Sequence, residues 1–538
     1  MNMMKLTLNN YFVYLSKLDR LWQKKTELSC YAVFLVLIIF WCRIKWNRRF
    51  IDRFAAKLPG PQSYPLIGSG LEFTGTLQQI MDKIIQLTEK FGSEPFKVWL
   101  GSTLAVMLTK PEDLEIIFNS SKALKKDEIY NFLINILGEG LSTAPVYKWK
   151  QHRKIITPIF NTSFINQLLP IFNKKTSIFI RNLQKELGKT ETFDIFDYII
   201  SSSVDTICET SMGYNCDTQS DDKFVFSNAI NESTKVICSR MCKPWLYPNF
   251  IFNIYAKITG WQQICKKCHE LPDQIIKEKK FEHAQRKTME NTSKSEKNRF
   301  KVFLDKLLEL NDQGANFSDK DLKDQVLTMM IAGSETSALT ISFCILMLAI
   351  HQDIQDKVYD EIYEVMENGD QTLTIEDTVK FVYLDQCIKE TLRLYPSLPI
   401  IMRHIEEDVK ITNYTIPKGT TVMISSIGTH HLPEFYPKPW EFNPENFDPE
   451  NVAKRHKYCF IGFSGGPRNC IGMKYAMLSM KVTLSTFLRN YSVHTSCKMS
   501  DIKLKFEVLM KSVYGYPVTI RPRVRTPSYQ LKMKNKNL

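Results

Sequence analysis

Hydrophobic residues along this 538-residue chain recur mostly every three or four positions, the spacing of helices that bury one face. Over positions 77–91 the apolar residues share one helical face, and Gly92 predicts the end of that helix. Residues 97–100 and 105–108 flank a Gly-Ser turn and predict two short strands. Because helical spacing dominates and no internal repeat is present, the pattern predicts a mainly α fold with small β-sheets.

The middle of the chain contains both a long helical pattern and a polar segment. Residues 304–350 predict helix, broken by the polar stretch 311–320. Residues 281–299 are rich in Lys, Glu, Asn, Ser and Thr and contain no Val, Ile or Leu, so they predict a solvated loop between helices.

One apolar run, at residues 28–42, stands out near the N-terminus. It is shorter than the roughly 20 residues that span a bilayer with ease, although flanking basic side chains can reach the interface and the endoplasmic reticulum membrane is comparatively thin. Basic residues cluster at 43–57, so the positive-inside rule places the following chain in the cytosol. We therefore expect a transmembrane anchor at 28–46. A cleaved signal peptide is the alternative, but no small-residue cleavage site follows the run.

The anchor divides the chain into regions. Residues 1–27 are an N-terminal extension whose apolar spacing fits an interfacial helix, a weak organelle presequence, or sequence upstream of a later start codon. A basic, proline-rich hinge is predicted at 47–65, because prolines fix φ and remove backbone donors. A single large domain then covers 66–522, and a basic, disordered tail without acidic residues follows at 523–538.

Charge and cysteine content narrow the class of protein. Lysine and arginine outnumber aspartate and glutamate by 71 to 57, a formal net charge of +14 that suits an acidic partner protein or an anionic membrane. We expect no nucleic-acid partner, since no zinc-finger or RNA-recognition pattern is present. The 13 cysteines are odd in number and irregularly spaced, which indicates reduced thiols rather than a disulfide framework.

The strongest chemical pattern is a glycine-rich loop at 463–472 that contains one cysteine, Cys470. A thiolate in a tight loop, with backbone N–H groups directed at the sulfur, is a suitable axial ligand for haem iron. Glycine allows the backbone to pass close to a porphyrin face, and Arg468 offers a cation to a haem propionate. An arbitrary cysteine is more often a small buried hydrophobe, but these neighbours reverse that expectation for Cys470.

The loop resembles the cysteine-ligand loop of the cytochrome P450 monooxygenases. That pattern is Phe, two residues, Gly, one, Arg, one, Cys, one, Gly, and it is matched by Phe463, Gly466, Arg468, Cys470 and Gly472. The resemblance runs from about residue 58 to about residue 522 and is strongest to the microsomal, insect-like members of the fatty-acid hydroxylase clan. It implies the cytochrome P450 fold, with Cys470 as the metal ligand of haem b.

Further motifs of that family carry over by position. Trp149 and Arg153, one helical turn apart, match a Trp-Arg pair that binds haem propionates, and Arg403 matches a further propionate contact. Glu390 and Arg393 match a Glu-two residues-Arg pair whose family role is a buried ion pair that supports the cysteine loop. The alternative is a surface ion pair, which would contribute only about 0.3–0.5 kcal/mol to the free energy of unfolding.

Two departures from the family pattern matter for these expectations. A third member of the ion-pair group is usually an arginine, and Asn446 takes its place here without a charge. Some fatty-acid hydroxylases have a glutamate, esterified to a haem methyl, at the position of Ala332. Alanine cannot form that ester, so we expect haem held by the cysteine–iron bond and non-covalent contacts alone.

The oxygen-activating pattern of the family matches residues 332–337. In it the Thr336 hydroxyl donates a hydrogen bond to oxygen, and Glu335 feeds protons through water. The alternative is a mid-helix threonine bonded to a carbonyl, with Glu335 on a solvated face.

A second haem pattern is present and has to be weighed. Cys265, Cys268 and His269 fit the Cys-two residues-Cys-His attachment site of c-type haem. We interpret it as a chance match in a cysteine-rich chain, and zinc binding is less favoured because no second ligand pair is near.

The resemblance implies a membrane-bound haem-thiolate monooxygenase that inserts one oxygen atom from O2 into a hydrophobic substrate, either a fatty acid, a hormone or a xenobiotic. Electrons come from NADPH through NADPH–cytochrome P450 reductase, with cytochrome b5 as an optional second partner. The catalytic domain is expected on the cytosolic face of the endoplasmic reticulum membrane. A basic face for the acidic reductase is expected from Lys148, Lys150, Lys154, Arg455, Lys457 and Lys474.

By the same resemblance, substrate contacts are expected near Leu137 and Ala332 and within 235–250, 397–401 and 513–514. Two other functions remain open. One is a P450-like isomerase or dehydratase acting on peroxides, a class that tends to lose the acid–threonine pair. The other is a non-catalytic haem or lipid carrier.

Overall fold

The computed structural model describes residues 31–36, 38–39, 42–43, 46, 48–64, 67–220, 225–290, 300–366, 372–524 and 526–527. The predicted extension 1–27, part of the predicted anchor 28–46 and most of the predicted tail 523–538 lie outside these residues. The chain divides into two compact units, Met1–Leu58 and Pro59–Leu538. In the first unit residues 48–55, the basic half of the predicted hinge, are helical.

The second unit is built mainly from helices. In chain order they are α1 Leu77–Phe91, α2 Pro111–Asn119, α3 Ile134–Leu137, α4 Val146–Ile156, α5 Thr162–Asn166, α6 Leu169–Leu183, α7 Phe196–Ile207, α8 Val225–Cys242, α9 Asn249–Ile258, α10 Trp261–Glu290, α11 Phe303–Leu310, α12 Asp319–Ile350, α13 Gln352–Met366, α14 Ile375–Lys380, α15 Val382–Leu394, α16 Ser426–His430, α17 Pro449–Ala453 and α18 Met473–Asn490. Short 3₁₀ and π turns, among them Gly70–Phe73, Cys208–Met212 and Asn311–Ala315, connect or extend them.

Small sheets lie between the helices. The strands are β1 Phe96–Leu100, β2 Thr103–Leu108, β3 Phe193–Asp194, β4 Ile400–His404, β5 Val409–Lys410, β6 Thr415–Ile416, β7 Thr421–Ser425, β8 Tyr491–His494, β9 Leu504–Glu507, β10 Leu509–Ser512 and β11 Pro517–Pro522. The largest sheet has the order β1-β2-β7-β4, in which β2 and β7 are parallel and the other pairs antiparallel. β9 and β10 form an antiparallel hairpin. The predicted mainly α fold with small sheets is therefore confirmed.

Local sequence accounts for the first helix and the strands after it. A capping box between Thr76 and Gln79 starts α1, and Gly92 ends it with a φ of 54°, which a glycine adopts at little cost. The predicted strands at 97–100 and 105–108 are found as β1 and β2. These predictions were correct because each depends on periodicity and turn residues within a few positions.

The longest helix, α12, forms the centre of the hydrophobic core. It begins at a capping box between Ser318 and Asp321, and nearly all of its residues beyond Leu322 are buried. Its length and hydropathy would allow it to span a membrane, but 78% of its most apolar window is buried within the protein. It packs against α7, α15 and α18, so its hydrophobicity serves the core.

One predicted loop is wrong over about half of its length. The segment predicted as solvated loop at 281–299 continues α10 as far as Glu290, and residues 291–299 lie outside the described part. Arg286 reaches Asp305 of α11 at 3.2 Å, and His283 lies 2.8 Å from Asp312. These partners follow the gap in sequence, so composition within the segment could not reveal them.

The ion pair of α15 is fully buried. Arg393 donates through Nε and Nη2 to the Glu390 carboxylate at 2.8 and 2.7 Å, and neither side chain has measurable exposure. Arg393 also donates to the main-chain oxygens of three residues in the segment that leads to the cysteine loop: His430, Pro439 and Glu441. The predicted surface alternative is therefore excluded for this pair.

Asn446 occupies the place of the missing arginine and keeps its hydrogen bond. Its side-chain amide donates to Glu390 at 3.1 Å, beside the backbone N–H of Asn443 at 2.9 Å. A nearby cation, Arg455, donates to the main-chain oxygen of Asn446 and stacks on the Tyr436 ring. The group around Glu390 is thus complete in hydrogen bonds, with one charge fewer than the family pattern.

We expect Arg393→Met to lower the free energy of unfolding by about 3–5 kcal/mol, because it leaves the Glu390 carboxylate buried without its cation. Urea unfolding followed by circular dichroism measures the loss. Lys438→Met is the control, since it removes an exposed pair with Glu441 on the same segment and should leave the midpoint unchanged. A loss below about 1 kcal/mol for Arg393→Met would contradict a supporting role.

Candidate active site

The cysteine loop is a hydrogen-bonded turn that precedes α18. The Cys470 N–H donates to the Phe463 oxygen at 3.0 Å, and the Asn469 N–H donates to the Gly466 oxygen at 3.2 Å. Gly466 has a φ of +65°, and a β-carbon there would lie 2.1 Å from the Phe118 oxygen, so only glycine fits. The loop therefore fixes the backbone on both sides of the cysteine.

Opposing effects act on the pKa of the Cys470 thiol. Desolvation by the surrounding protein raises the pKa of the Cys470 thiol, while the Gly472 N–H and the Arg153 guanidinium lower it in part. The net shift favours the thiol. A metal cation at the sulfur supplies the remaining stabilisation of a thiolate, which is the chemistry expected of an iron ligand.

Arg153 supports the loop directly. Its Nη1 donates to the Asn469 main-chain oxygen at 3.0 Å, and its Nη2 donates to the Asn469 side-chain oxygen at 2.8 Å. The structure thus brings Arg153 next to the cysteine, one helical turn from Trp149, as the spacing predicts. Trp149 is buried, and the Arg468 guanidinium lies over its indole at 4.7 Å.

Two buried arginines, Arg403 and Arg468, and the half-buried Lys126 gather on the wall beside this loop. Arg403 is 2% exposed, and burial together with Arg403 lowers the pKa of Arg468 to about 9. Burial and both arginines also hold the pKa of Lys126 well below its usual value. Within the described residues, none of the three forms an ion pair with a carboxylate. Sequence reasoning missed Lys126, because no motif marks it and only the fold brings it to the two arginines.

This donor set fits the haem propionates. Arg468 donates to the main-chain oxygens of Leu124 and Ala144 at 2.8 and 2.9 Å, yet its Nε is buried without a hydrogen-bond partner. Like charges crowded in a poorly solvated place are unfavourable unless an anion joins them. Two carboxylates on one ligand would supply that anion and accept from the unpartnered nitrogen. The residues present therefore fit a haem with its propionates toward Arg403 and Arg468.

The acid–threonine pair lies on α12, which packs against α18 directly after the cysteine loop. The Thr336 hydroxyl donates to the Ala332 oxygen at 2.6 Å. The carbonyl partner of Thr336 is the one that the alternative interpretation predicts, so in this structure the hydroxyl proton is not free to donate to oxygen. Glu335 is buried and binds Lys511 Nζ at 2.6 Å, so the other part of that alternative, a solvated glutamate, is wrong. Gly333 lets α7 approach, since a β-carbon there would lie 2.6 Å from the Ile207 side chain.

An apolar cavity lies next to the cation cluster. Tyr130, whose ring lies beneath the Lys126 ammonium group, belongs to its lining. The lining comes from α1, the large sheet, α8 and the β9–β10 hairpin: Gly70, Phe73, Ile80, Ile84, Leu87, Val98, Leu100, Met107, Ile129, Tyr130, Leu133, Met241, Cys242, Pro244, Tyr247, Leu398, Ile400, Met402, Met423, Phe506 and Val508. Two predicted contact regions, 235–250 and 397–401, contribute to it. Leu137, Ala332 and the pair 513–514 do not.

The basic residues predicted to form the reductase face fall into two groups: those with exposed side chains, and those held by carboxylates or aromatic rings of the protein. Lys150, Lys154, Lys457 and Lys474 are exposed, as a basic docking face requires. Lys148 does not belong to that face, because it binds Asp321 at 2.6 Å and Glu139 at 3.2 Å. Arg455 does not belong to it either, because it stacks on buried aromatic rings.

The c-type haem pattern lies within α10 and has local partners. Cys268 is buried with its sulfur 3.4 Å from the Ser233 hydroxyl, and His269 Nε2 lies 3.0 Å from the Asn135 oxygen. No group of three or more metal-binding side chains is found in the described part of the chain. This environment favours the interpretation as a chance match.

Comparison with known proteins gives a consistent result. The family model described as Cytochrome P450 matches residues 58–517. The chain is 36% identical to "Cytochrome P450 4c21" of Blattella germanica, over 91% of this chain and 98% of that protein. It is 32% identical to "Cytochrome P450 4c3" of Drosophila melanogaster, over 94% and 97%. It is 33% identical to "Cytochrome P450 4V2" of Homo sapiens, over 86% and 89%.

A solved structure agrees in fold. The "Crystal structure of cytochrome P450DA heme domain" superposes with a TM-score of 0.73 at 19% identity, over 87% of this chain and 98% of that one. The family match covers well over half of the chain. This chain belongs to the cytochrome P450 family, type 4, and is a haem-thiolate monooxygenase.

Proposed function

We propose that the enzyme is anchored in the endoplasmic reticulum membrane, takes electrons from NADPH through NADPH–cytochrome P450 reductase, and inserts one oxygen atom from O2 into a hydrophobic substrate. The observation that carries this proposal is the cysteine loop beside two buried arginines and the half-buried Lys126, with an apolar cavity next to these cations. These three features supply an iron ligand, a propionate site and a substrate site within one region of the fold.

The haem contacts follow from the site geometry. Cys470 would bind the iron, and Arg403, Arg468 and Lys126 would bind the propionates, with the Trp149 ring stacked on the Arg468 guanidinium. Arg153 holds the loop through Asn469 and so fixes the sulfur. When bound, a thiolate-ligated haem b supplies the activation of O2.

The acid–threonine pair controls protons at this site. The Thr336 proton is held by the Ala332 oxygen, which leaves the Thr336 oxygen free to accept a hydrogen bond from water. Glu335, the residue directly before Thr336 on α12, is ionisable and can pass protons to that water. The two residues together deliver protons to the oxygen-binding side of the site.

Exposed apolar side chains support a membrane location. On α9 three of them follow at intervals of four residues: Phe250, Ile254 and Ile258 are 68%, 60% and 79% exposed. Trp245 lies just before that helix and is 57% exposed. A stripe of this kind, with an aromatic residue near its end, is typical of a surface that lies in the lipid interface. In the N-terminal unit the described residues 31–36 are helical and exposed, as an anchor requires.

The cavity lining supports a hydrophobic substrate. Apart from the Cys242 thiol, the polar side-chain groups among its lining residues are the hydroxyls of Tyr130 and Tyr247. Apolar burial therefore provides most of the binding free energy, at roughly 25 cal/mol per Å² of apolar surface. Fatty acids, hormones and xenobiotics all meet this requirement.

The exposed lysines near the cysteine loop support docking of an acidic redox partner. Lys150 and Lys154 lie on α4, the helix that carries Arg153, and Lys474 lies on the first turn of α18. Positive charge there steers an acidic flavoprotein toward the thiolate side of the haem, and cytochrome b5 would use the same face.

Cys470→Ser tests the proposed iron ligand. Without a thiolate, we expect the reduced carbon monoxide complex to lose its long-wavelength absorption band and substrate oxidation to cease. Cys265→Ser is the control, since it alters the c-type pattern and should leave the spectrum unchanged. A normal thiolate spectrum in Cys470→Ser would contradict the assignment.

Thr336→Ala tests proton control. We expect this variant to consume NADPH but to release much of the oxygen as hydrogen peroxide, because water is no longer oriented at the threonine oxygen. Thr340→Ala is the matched control, because Thr340 also donates to a carbonyl four residues earlier, that of Thr336 at 3.0 Å. Equal product yield per NADPH in Thr336→Ala and wild type would exclude the proposed role.

Reversing two exposed charges tests the reductase face. Lys457→Glu/Lys474→Glu is expected to raise the KM for reductase several-fold at low salt and less at high salt, because both charges are screened. Lys267→Glu/Lys277→Glu, at two exposed positions of α10, makes the same change in net charge and is the control. Reductase kinetics that are unchanged at low salt would remove this face from the proposal.

A further inference from the structure

A buried cluster of charges joins α12 to the β9–β10 hairpin. Lys511 Nζ, on β10, lies 2.6 Å from Glu335 Oε1, 3.5 Å from Glu507 Oε2 and 3.0 Å from Asn231 Oδ1. The side chains of Glu335, Lys511 and Glu507 are 8%, 9% and 3% exposed. Because the two carboxylates share one ammonium group, the position of Lys511 decides where the Glu335 carboxylate lies.

Electrostatics favour a charged lysine in this place. Burial lowers the pKa of Lys511, but Glu335 and Glu507 outweigh burial and raise it overall. Lys505 also reaches Glu507, at 3.0 Å, so charges of alternating sign lead from a partly exposed lysine to Glu335. A cation held this firmly keeps a neighbouring carboxyl ionised.

The same hairpin lines the substrate cavity. Phe506 and Val508, on either side of Glu507, face the cavity. Val508 forms the one-residue turn between β9 and β10 with a φ of 65°, a strained conformation for a β-branched residue. On α8 the Cys238 thiol donates to the Phe506 oxygen at 2.9 Å and helps to hold this turn. One element thus contacts both the substrate space and the cluster around Glu335.

We propose that Lys511 is a positioning residue for oxygen activation, which holds the Glu335 carboxylate in one place from which it can take up and pass on protons. The inference rests on the proposed role of Glu335. It assigns a task to the β9–β10 hairpin beyond lining the cavity. Loss of the lysine charge leaves Glu335 buried without a cation, and such a carboxyl becomes protonated and remains so.

Lys511→Met and Lys511→Arg are the test variants. In Lys511→Met we expect product per NADPH to fall several-fold with a matching rise in hydrogen peroxide, and Lys511→Arg to restore most of the coupling. Lys279→Met is the matched control, because it also removes a buried lysine, one that binds Asp305 at 3.2 Å, and should leave coupling unchanged. Wild-type coupling in Lys511→Met would overturn the proposal.

A second readout is independent of turnover. Infrared spectroscopy of the resting holoenzyme should show the carbonyl band of a protonated carboxyl group in Lys511→Met, but not in wild type, Lys511→Arg or Lys511→Met/Glu335→Gln. If Lys511→Met does not fold, Lys511→Gln keeps a donor without the charge and should give the same band. Absence of the band from both variants would overturn the proposal. A normal thiolate spectrum in the same samples separates this failure from failure of the monooxygenase assignment.

Discussion

Buried positive charge without a protein counterion is the constraint on which the site depends. Arg403 and Arg468 are buried beside the half-buried Lys126, and within the described residues none of the three pairs with a carboxylate. Such an arrangement costs free energy in the protein alone and is stabilised by a dianionic ligand. The cations therefore couple the folding of this region to the binding of haem. They also explain why an apolar cavity can adjoin a highly charged wall.

On the thiolate side of the site, by contrast, the charged side chains form an ion pair or donate to neutral groups. Glu390 and Arg393 satisfy each other and bind the segment that leads to the cysteine loop. Arg153 fixes the loop through Asn469, and Gly466 allows the close passage of backbone that the turn needs. Each contact restrains the position of one sulfur atom. Asn446 shows that hydrogen bonds, rather than a third charge, are sufficient to complete the buried group.

Helix α12 combines two tasks that are usually in conflict. Its buried length packs against α7, α15 and α18 and forms the core, while a short polar interruption at 332–337 contains the acid–threonine pair. Placing Glu335 within such a helix requires a partner, and Lys511 supplies it from a strand 176 residues later. The charge cluster is therefore part of the stability of the helix, in addition to the role in proton control that is proposed for it.

The sequence by itself determined the class of fold and the family and predicts the cysteine ligand, because these follow from periodicity, turn residues and closely spaced motifs. It also determined the Glu390–Arg393 pair, whose members are one helical turn apart. Only the tertiary structure decided the contacts between distant segments. The continuation of α10 through 281–290, the inclusion of Lys126 in the propionate wall and the pairing of Glu335 with Lys511 depend on residues far apart in the chain. No local pattern records such partners, since a charged side chain carries the same sequence signature whether it meets water or a buried ion of opposite sign.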